Sequence, residues 1–278
     1  MGGGHQHQHR GGFARSRGVG REPHPARTGV SGLFARSWNE GVAGEAVLLL
    51  HGFGACADVW APIAERLARP AIAYDLAGHR FSPLAEGRSP ARETAKGLLA
   101  DLDARGVGRA VLAGHSLGGA SALLAAMSAP ERFSRLVLFA PGGIGEDISE
   151  PLMRALGVAS DEPSLRAALR GMMAPGAPAP SGELASLVAM RGTPAAREGL
   201  MRIAAQLSEG GRQGVIPADR LAELPMPVSV LWGTADPVLP FGQTGALPPA
   251  WRLEALEGVG HMLLDEAPKR VAAALEAG

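Results

Sequence analysis

The sequence predicts an α/β fold, in which a mostly parallel sheet is flanked by helices on both faces and interrupted by an inserted helical segment. Short runs that are apolar on both faces, such as Glu45–Leu50 and Arg135–Phe139, alternate with longer stretches of helical spacing, such as Pro90–Arg105. This alternation is typical of right-handed βαβ units. From about residue 144 to 216 the alternation stops, and the chain is helical in tendency but broken by prolines. These two observations predict one large domain with an insertion.

Composition limits the class of protein. The 278 residues are 46% apolar and 19% charged, with a formal net charge of zero. This balance does not indicate binding to nucleic acid or to an anionic membrane surface. The chain lacks an apolar run long enough to span a bilayer, and we expect a soluble, cytoplasmic protein. The single cysteine, Cys56, excludes an intramolecular disulfide and a cysteine metal cluster, and we expect it to be a packing residue rather than a nucleophile.

The domain boundaries follow from these patterns. Residues 1–28 are rich in Gly, His and Arg and poor in aliphatic side chains, which predicts a disordered tail or a tag. His5, His7 and His9 alternate with glutamine and could bind a metal, although an expression tag or low-complexity tail explains them better. We assign residues 29–143 and 217–278 to the α/β core, and residues 144–216 to a helical cap or lid.

The remaining elements follow in order from the same periodicities. Short runs of apolar residues predict further strands at Gly32–Trp38 (exposed), Pro70–Tyr74, Arg109–Ala113, Val228–Trp232 and Arg252–Leu256. Helical spacing predicts helices at Pro62–Ala68, Ala120–Ala129, Phe241–Leu247 and Pro268–Ala277.

The most informative stretch joins a predicted strand to a predicted helix. It reads Gly114-His115-Ser116-Leu117-Gly118 and fits the pattern G-x-S-x-G. In that pattern a sharp strand-to-helix turn holds a serine hydroxyl above the end of the sheet. The two glycines suit such a turn, because a Cβ at either position would collide with the neighbouring backbone. Ser116 is therefore a candidate nucleophile.

A serine hydroxyl needs a neighbouring base, and the base needs a carboxylate that fixes its tautomer. Asp236 follows the predicted strand 228–232, and His261 follows the last predicted strand. Both lie at the carboxyl ends of strands, as Ser116 does, and the three occur in the order Ser, Asp, His. We predict a catalytic triad of Ser116, Asp236 and His261. Asp147 and Asp265 remain alternative carboxylates.

The loops around the predicted triad have separate roles. His51 and His79 follow other strands, and we expect each of them to shape its own loop rather than act as the base. Acyl transfer also builds up negative charge on the carbonyl oxygen, which needs hydrogen-bond donors. The backbone N–H groups of Phe53 and Leu117 are the candidates for this oxyanion hole.

Five motifs in this order resemble the α/β-hydrolase superfamily over residues 30 to the end: His51–Gly54, Asp75–His79, Gly114–Gly119, Trp232–Asp236 and Gly260–His261. Within that superfamily the chain resembles the hydrolase-type domain of some acetoin dehydrogenase E2 components. The stretches that carry this finer likeness are Ala140–Gly145 and Gly210–Gln213.

Three positions bear on the subgroup. The superfamily usually has glycine after the histidine of the loop at 75–79, whereas this chain has Arg80. The nucleophile position holds Ser116 rather than aspartate, which argues against haloalkane dehalogenases and epoxide hydrolases. Met262 replaces the tryptophan common in meta-cleavage C–C hydrolases.

The resemblance and the triad together imply a serine hydrolase that cleaves a small-molecule carboxylic ester or thioester and needs no cofactor or metal. Acyl transfer or perhydrolysis would use the same triad. A ligand-binding protein with the same pocket but little turnover is a different possibility. An accessory domain of a multienzyme complex is a further one. The sequence leaves the substrate and the oligomeric state open.

Overall fold

The computed structural model describes residues 1–2, 27–28, 32–180 and 184–277. The predicted tail with His5, His7 and His9 lies outside these residues, apart from 1–2 and 27–28. The described residues form one eight-stranded sheet in the order β1-β2-β4-β3-β5-β6-β7-β8. Its strands are β1 (Arg27–Thr28), β2 (Phe34–Trp38), β3 (Val47–Leu50), β4 (Ala71–Tyr74), β5 (Ala110–His115), β6 (Phe133–Phe139), β7 (Val228–Gly233) and β8 (Arg252–Leu256).

Six of these strands, from β4 to β8 in the sheet order, are parallel, and β1 and β2 join one edge in antiparallel pairing. The predicted α/β class with a mostly parallel sheet is therefore confirmed. The strand predicted at 32–38 is present, but it is less exposed than expected, since Phe34, Ala35 and Trp38 are buried. Its pairing with β4 on one side and β1 on the other accounts for this burial.

The helices pack in layers on the sheet, with α2 against α3 and α1 against α10. Their bounds are α1 (Ala61–Ala64), α2 (Pro90–Arg105), α3 (Leu117–Ser128), α4 (Glu150–Val158), α5 (Glu162–Gly171), α6 (Leu184–Ala189), α7 (Pro194–Leu207), α8 (Ala218–Ala222), α9 (Leu263–Glu266) and α10 (Pro268–Glu276). Among the residues with described structure, no helix is both long enough and apolar enough to cross a membrane.

Two predicted helices differ from the structure. The first ends at Ala64 instead of Ala68, where the N–H of Leu67 bonds three residues back to Ala64 O and the N–H of Ala68 donates to Glu276 Oε1. The Asn39 amide caps the carbonyls of Ala64 and Leu67. The segment predicted as a helix at 241–247 is a 3₁₀ helix, Phe241–Ala246.

The sheet order places the candidate nucleophile. The chain leaves β3, crosses to β4 on one side, and then returns through α2 to β5 on the other side of β3. The carboxyl ends of β3 and β5 therefore flank a point where the winding direction reverses, and such a point opens a crevice for ligands. The loop at 51–54 follows β3 and Ser116 follows β5, so both lie at this crevice.

The turn at Ser116 depends on glycine on both sides. Ser116 has φ 53° and ψ −117°, a strained conformation for a residue with a side chain. A Cβ on Gly114 would lie 2.3 Å from the carbonyl oxygen of Gly118, and a Cβ on Gly118 would lie 2.4 Å from that of Leu50. The first turn of α3 thus packs directly on the backbone at the end of β3.

Helices α4 to α7 lie between β6 and β7 in the chain, in the segment 144–216 that the sequence analysis assigned to a cap. We refer to residues 144–216 as the cap segment. Its described residues, all but 181–183, contain no strand of the sheet; Asp147 and Arg212 form an isolated bridge. Its role as a cap remains a proposal.

The packing at Gly118 can be tested by substitution. Gly118→Ala places a methyl group against backbone that cannot rotate away, and we expect it to lower the free energy of unfolding by about 3 kcal/mol. Gly199→Ala is the control, because Gly199 lies in α7 and a Cβ there meets nothing within 4 Å. Alanine should leave stability unchanged or raise it slightly at that position. Urea unfolding of both variants measures the difference, and equal stabilities would contradict the packing argument.

Candidate active site

Asp236 and His261 form a buried pair at the carboxyl ends of β7 and β8. Asp236 Oδ2 accepts a hydrogen bond from His261 Nδ1 at 2.8 Å, and its Oδ1 accepts from the backbone N–H groups of Val238 and Leu239 at 2.8 and 2.9 Å. The pair is almost inaccessible to solvent. With Nδ1 used as a donor, Nε2 is the basic nitrogen of the neutral ring. This arrangement fixes the tautomer that a general base needs.

Ser116 and His261 line the same cavity, which has a volume of about 440 Å³. Ser116 Oγ makes no hydrogen bond to any residue that the structure describes, His261 included. Nucleophile–base contacts are often loose in structures without substrate and tighten when a ligand binds. Most of the cavity wall is apolar and comes from the loop 51–55, α1, the cap segment and α9. Cap-segment residues in the wall include Met153, Leu156, Leu169, Met172 and Leu187.

Several groups hold the His261 loop in place. His115 Nε2 donates to the carbonyl oxygen of His261 at 2.8 Å, and the backbone N–H of His261 donates to Met172 O at 2.9 Å. The Glu266 carboxylate accepts from the N–H groups of Ala174, Gly260 and Met262 at 3.0 to 3.2 Å. The loop is thus tied to the turn before Ser116, to the cap segment and to α9.

The candidate oxyanion donors lie beside Ser116. A Cβ on Gly52 would come within 3.3 Å of Ser116 Cβ, so the loop at 51–54 packs on the serine turn. The N–H groups of Phe53 and Leu117 have no acceptor among the described residues. Two unused backbone donors next to a candidate nucleophile are what an oxyanion needs.

His51 and His79 link the loops at the end of the sheet as neutral rings. His51 donates from Nδ1 to Gly52 O at 2.7 Å and accepts at Nε2 from the N–H of Leu76 at 3.0 Å. His79 donates from Nδ1 to Ala77 O and accepts at Nε2 from the N–H of Gly54. Burial lowers the pKa of His51 well below its ordinary value and that of His79 to about 4. Both histidines therefore shape loops, in agreement with the sequence analysis.

A buried arginine that the sequence analysis did not single out supports the same loop. Arg191 is fully buried and donates to the carbonyl oxygens of Gly54 and Leu187, each at 2.7 Å. Burial lowers its pKa to about 10. Among the described residues no carboxylate forms an ion pair with it. A guanidinium without a counter-ion thus lies next to the loop that carries the Phe53 N–H.

None of the alternative candidates takes the predicted role, since the carboxylate that accepts from His261 Nδ1 is that of Asp236. Asp147 forms a backbone bridge with Arg212 rather than a pair with His261, and Asp265 lies at the wall of the cavity. Cys56 is fully buried, and burial raises the pKa of its thiol to about 12, so it is not available as a thiolate.

The geometry brings a strained serine, the histidine of an Asp–His pair and the Phe53 loop to one cavity at the switch point of a parallel sheet, and the Leu117 N–H directly follows the serine. The sequence matches the description "Alpha/beta hydrolase family" over residues 47–274, which is most of the chain. The chain belongs to the alpha/beta hydrolase family. The resemblance drawn from the motifs is therefore confirmed.

The chain is also similar to individual named proteins. The chain is 32% identical over 253 residues to a "dihydrolipoyllysine-residue acetyltransferase component of acetoin cleaving system" from Pseudomonas putida, and 30% identical over 239 residues to the protein of that name from Cupriavidus necator. The matches cover 90% and 84% of this chain, and the chain spans 67% and 63% of those relatives.

A solved structure has the same fold. The 2-hydroxy-6-oxo-6-phenylhexa-2,4-dienoate hydrolase of Rhodococcus sp. strain RHA1 superposes with a TM-score of 0.74 over 87% of this chain and 92% of that one, at 23% identity. Several other solved neighbours are also hydrolases, including a carboxylesterase from Bacillus subtilis.

The buried neutral histidines predict acid sensitivity. Because the pKa of His79 is about 4 when folded and near 6.5 when unfolded, the unfolded chain takes up its proton first as the pH falls. The stability that the neutral ring provides is complete above about pH 6.5 and is lost toward pH 4, by about 3 kcal/mol for His79 alone. His51 and His115 act in the same direction. Burial raises the pKa of Asp75 to about 6, which offsets part of the loss.

Urea unfolding at pH 7, 5.5 and 4.5 measures this dependence. We expect the wild type to lose stability steadily over this range, and His79→Gln to start lower at pH 7 but to lose less on acidification. An unchanged pH dependence in His79→Gln would show that this ring is not held neutral by the fold.

Proposed function

We propose that this protein is a serine hydrolase that cleaves a carboxylic ester or thioester through an acyl-enzyme on Ser116. The observation that carries the proposal is the hydrogen-bonded Asp236–His261 pair, whose histidine lines the same cavity as a serine held on a strained turn. The apolar wall of that cavity favours an apolar substrate. The reaction would need no cofactor or metal.

The proposed mechanism follows from the positions of the groups. Ser116 Oγ attacks the carbonyl carbon while His261 Nε2 takes the hydroxyl proton, and Asp236 stabilises the resulting imidazolium. The N–H groups of Phe53 and Leu117 hold the tetrahedral oxyanion. The imidazolium then gives its proton to the leaving alkoxide or thiolate, which leaves an ester on Ser116. Water, deprotonated by His261, hydrolyses this acyl-enzyme and restores the serine.

Acyl transfer is a second candidate. The observation that favours it is the similarity to two relatives named as acetyltransferase components, of which this chain spans about two thirds. A transferase would release the acyl group to an alcohol, thiol or peroxide in place of water. Product analysis with such an acceptor added to the assay would separate the two, because a transferase would give mainly the transfer product. Association with a multienzyme complex is a further proposal from the same relatives.

The triad is tested with p-nitrophenyl acetate, butyrate and octanoate and with a fluorophosphonate label. We expect wild-type turnover and labelling, both abolished in Ser116→Ala, and a loss of kcat of roughly 10³- to 10⁴-fold in Asp236→Asn. Ser128→Ala is the matched control, because Ser128 lies on the same helix with an exposed hydroxyl that donates to Leu124 O. A wild type that neither labels nor hydrolyses would contradict the proposal and favour a non-catalytic binding protein.

Arg191 is expected to act as a positioning residue for the loop at 51–54, and substituting it tests this role. Arg191→Met removes the bond to Gly54 O and the nearby positive charge, so we expect slower phosphonylation of Ser116 and a kcat lower by about 10-fold, with little change in KM. Arg191→Lys should restore part of the rate. If the melting temperature falls while the phosphonylation rate stays at the wild-type value, Arg191 acts only on stability.

A further inference from the structure

Ser116 lies between two cavities. The first is the one that it shares with His261. The second has a volume of about 270 Å³ and is lined by residues that include Ser116, Leu117, Gly142, Gln213, Ile216 and Leu239. His261 lines the first cavity and is not among the described residues that line the second. A substrate whose carbonyl carbon is at Ser116 can therefore extend in two directions.

Proton transfer assigns the two directions. In the proposed function, on which this inference rests, His261 must reach the leaving oxygen or sulfur in order to protonate it. The leaving group therefore lies in the first cavity, on the side of His261. The second cavity, which Leu117 also lines, is then left for the acyl chain.

Two stretches that carried the finer family likeness, Ala140–Gly145 and Gly210–Gln213, meet at the wall of this second cavity. The N–H of Gly143 donates to Gln213 Oε1 at 3.1 Å, and the N–H of Gln213 donates to Glu146 O at 2.7 Å. Gly142 separates Gln213 from Ser116: a Cβ on Gly142 would lie 3.2 Å from Gln213 Oε1 and 3.5 Å from Ser116 O. The Gln213 amide is thus within a few ångströms of the nucleophile turn.

The bond from Gly143 fixes which way this amide points. Because Oε1 accepts that bond, Nε2 is the donor end, and Nε2 is buried without a hydrogen-bond partner among the described residues. A buried amide donor without an acceptor carries a free-energy penalty of roughly 1 to 3 kcal/mol. Gln213 lines the second cavity, and its Nε2 is covered by neighbouring atoms, so a ligand oxygen there would remove this penalty once the side chain turns Nε2 toward the cavity.

The other residues of the cavity wall indicate which kind of ligand oxygen the cavity favours. Its inner side chains are mostly apolar, and the charged residue in the lining, Arg92, is exposed. A neutral acceptor suits such a cavity better than a carboxylate, whose desolvation an amide does not offset. We propose that the second cavity binds the acyl chain and that Gln213 selects chains with a neutral oxygen, as in oxoacyl or hydroxyacyl esters.

The test compares two p-nitrophenyl esters of nearly equal shape, 4-oxopentanoate and 4-methylpentanoate. We expect wild-type kcat/KM to favour the oxo ester by about 5- to 10-fold, as one neutral hydrogen bond allows. Gln213→Leu should abolish this preference and improve the methyl ester. Gln206→Leu is the matched control, because Gln206 lines the same cavity but is exposed, and it should keep the preference.

A second variant tests whether the lost preference in Gln213→Leu comes from the missing amide donor or from a displaced loop. Gln213→Glu keeps the acceptor for the Gly143 N–H but replaces the donor with an oxygen, so it should also lose the preference while Ser116 is still labelled by the fluorophosphonate. Equal kcat/KM for both esters in the wild type would overturn the inference, as would a preference that survives in Gln213→Leu. A stronger preference for the mono-p-nitrophenyl ester of glutarate would overturn it in favour of a charged acyl chain.

The outcomes separate this inference from the proposed function. Absence of fluorophosphonate labelling and of turnover with every ester would defeat the proposed function itself. Turnover and Ser116 labelling without an effect of Gln213 would leave the hydrolase intact and defeat only the assignment of the acyl cavity.

Discussion

The close approach of backbone to backbone at the start of α3 determines where every other part of the site lies. Gly118 fits against the carbonyl of Leu50 only because it has no side chain. That contact packs the start of α3 on the end of β3, next to its paired strand β5, and Ser116 between β5 and α3 has a strained conformation. The loop at 51–54 then has to pass directly over the serine. Strain at one residue is thereby maintained by the packing of two central strands and a helix.

Around this fixed turn, the remaining loops are held by polar groups that are kept in one protonation state. His51 and His79 each accept one backbone N–H and donate to one backbone carbonyl, which only a neutral imidazole can do. His115 is buried as well, and burial lowers its pKa to about 3. The ring of His115 lies 4.9 Å from that of the proposed base His261, so the neighbour of the base is a neutral histidine.

Most of the fold was predictable because its signals are local. Apolar runs such as 47–50 and 228–232 are buried on both faces, and the glycines at 114 and 118 predicted the serine turn. Asp236 and His261 could be paired in advance because the ends of parallel strands meet at one edge of the sheet. The end of the first helix at Ala64 was not predictable, since its partners come from far along the chain: the Asn39 amide that caps it is 25 residues away, and Glu276, which binds the Ala68 N–H, is 208 residues away.

The supporting residues of the site escaped sequence reasoning for the same physical reason. Arg191 lies among proline-broken helices, and its partner, Gly54, is 137 positions away. Gln213 belongs to the stretch Gly210–Gln213 that carries a family resemblance. Its unpartnered amide nitrogen could not be predicted from that, because it follows from the bond that Oε1 accepts from the Gly143 N–H. Glu266 gathers N–H groups from two separate segments. Spacing along the chain carries no signal for such contacts.

Arg80 shows how a departure from the family pattern is accommodated. It occupies a position with φ 48°, where glycine would be unstrained. Its guanidinium forms an ion pair with Asp58 at 2.6 Å and lies 4.6 Å from the Phe81 ring centre. Burial tends to raise the pKa of Asp58, but hydrogen bonds from Ser186, Arg36 and Arg80 outweigh it and lower the pKa.

Asp58 consequently joins three parts of the molecule. Arg36 comes from strand β2, Arg80 from the loop after β4, and Ser186 from α6 in the cap segment. Glycine in place of Arg80 would relieve the strain but would remove one of the two cations that keep this carboxylate ionised. The arginine therefore gives up an unstrained loop and helps to hold the Asp58 carboxylate, which also accepts a hydrogen bond from Ser186 of the cap segment.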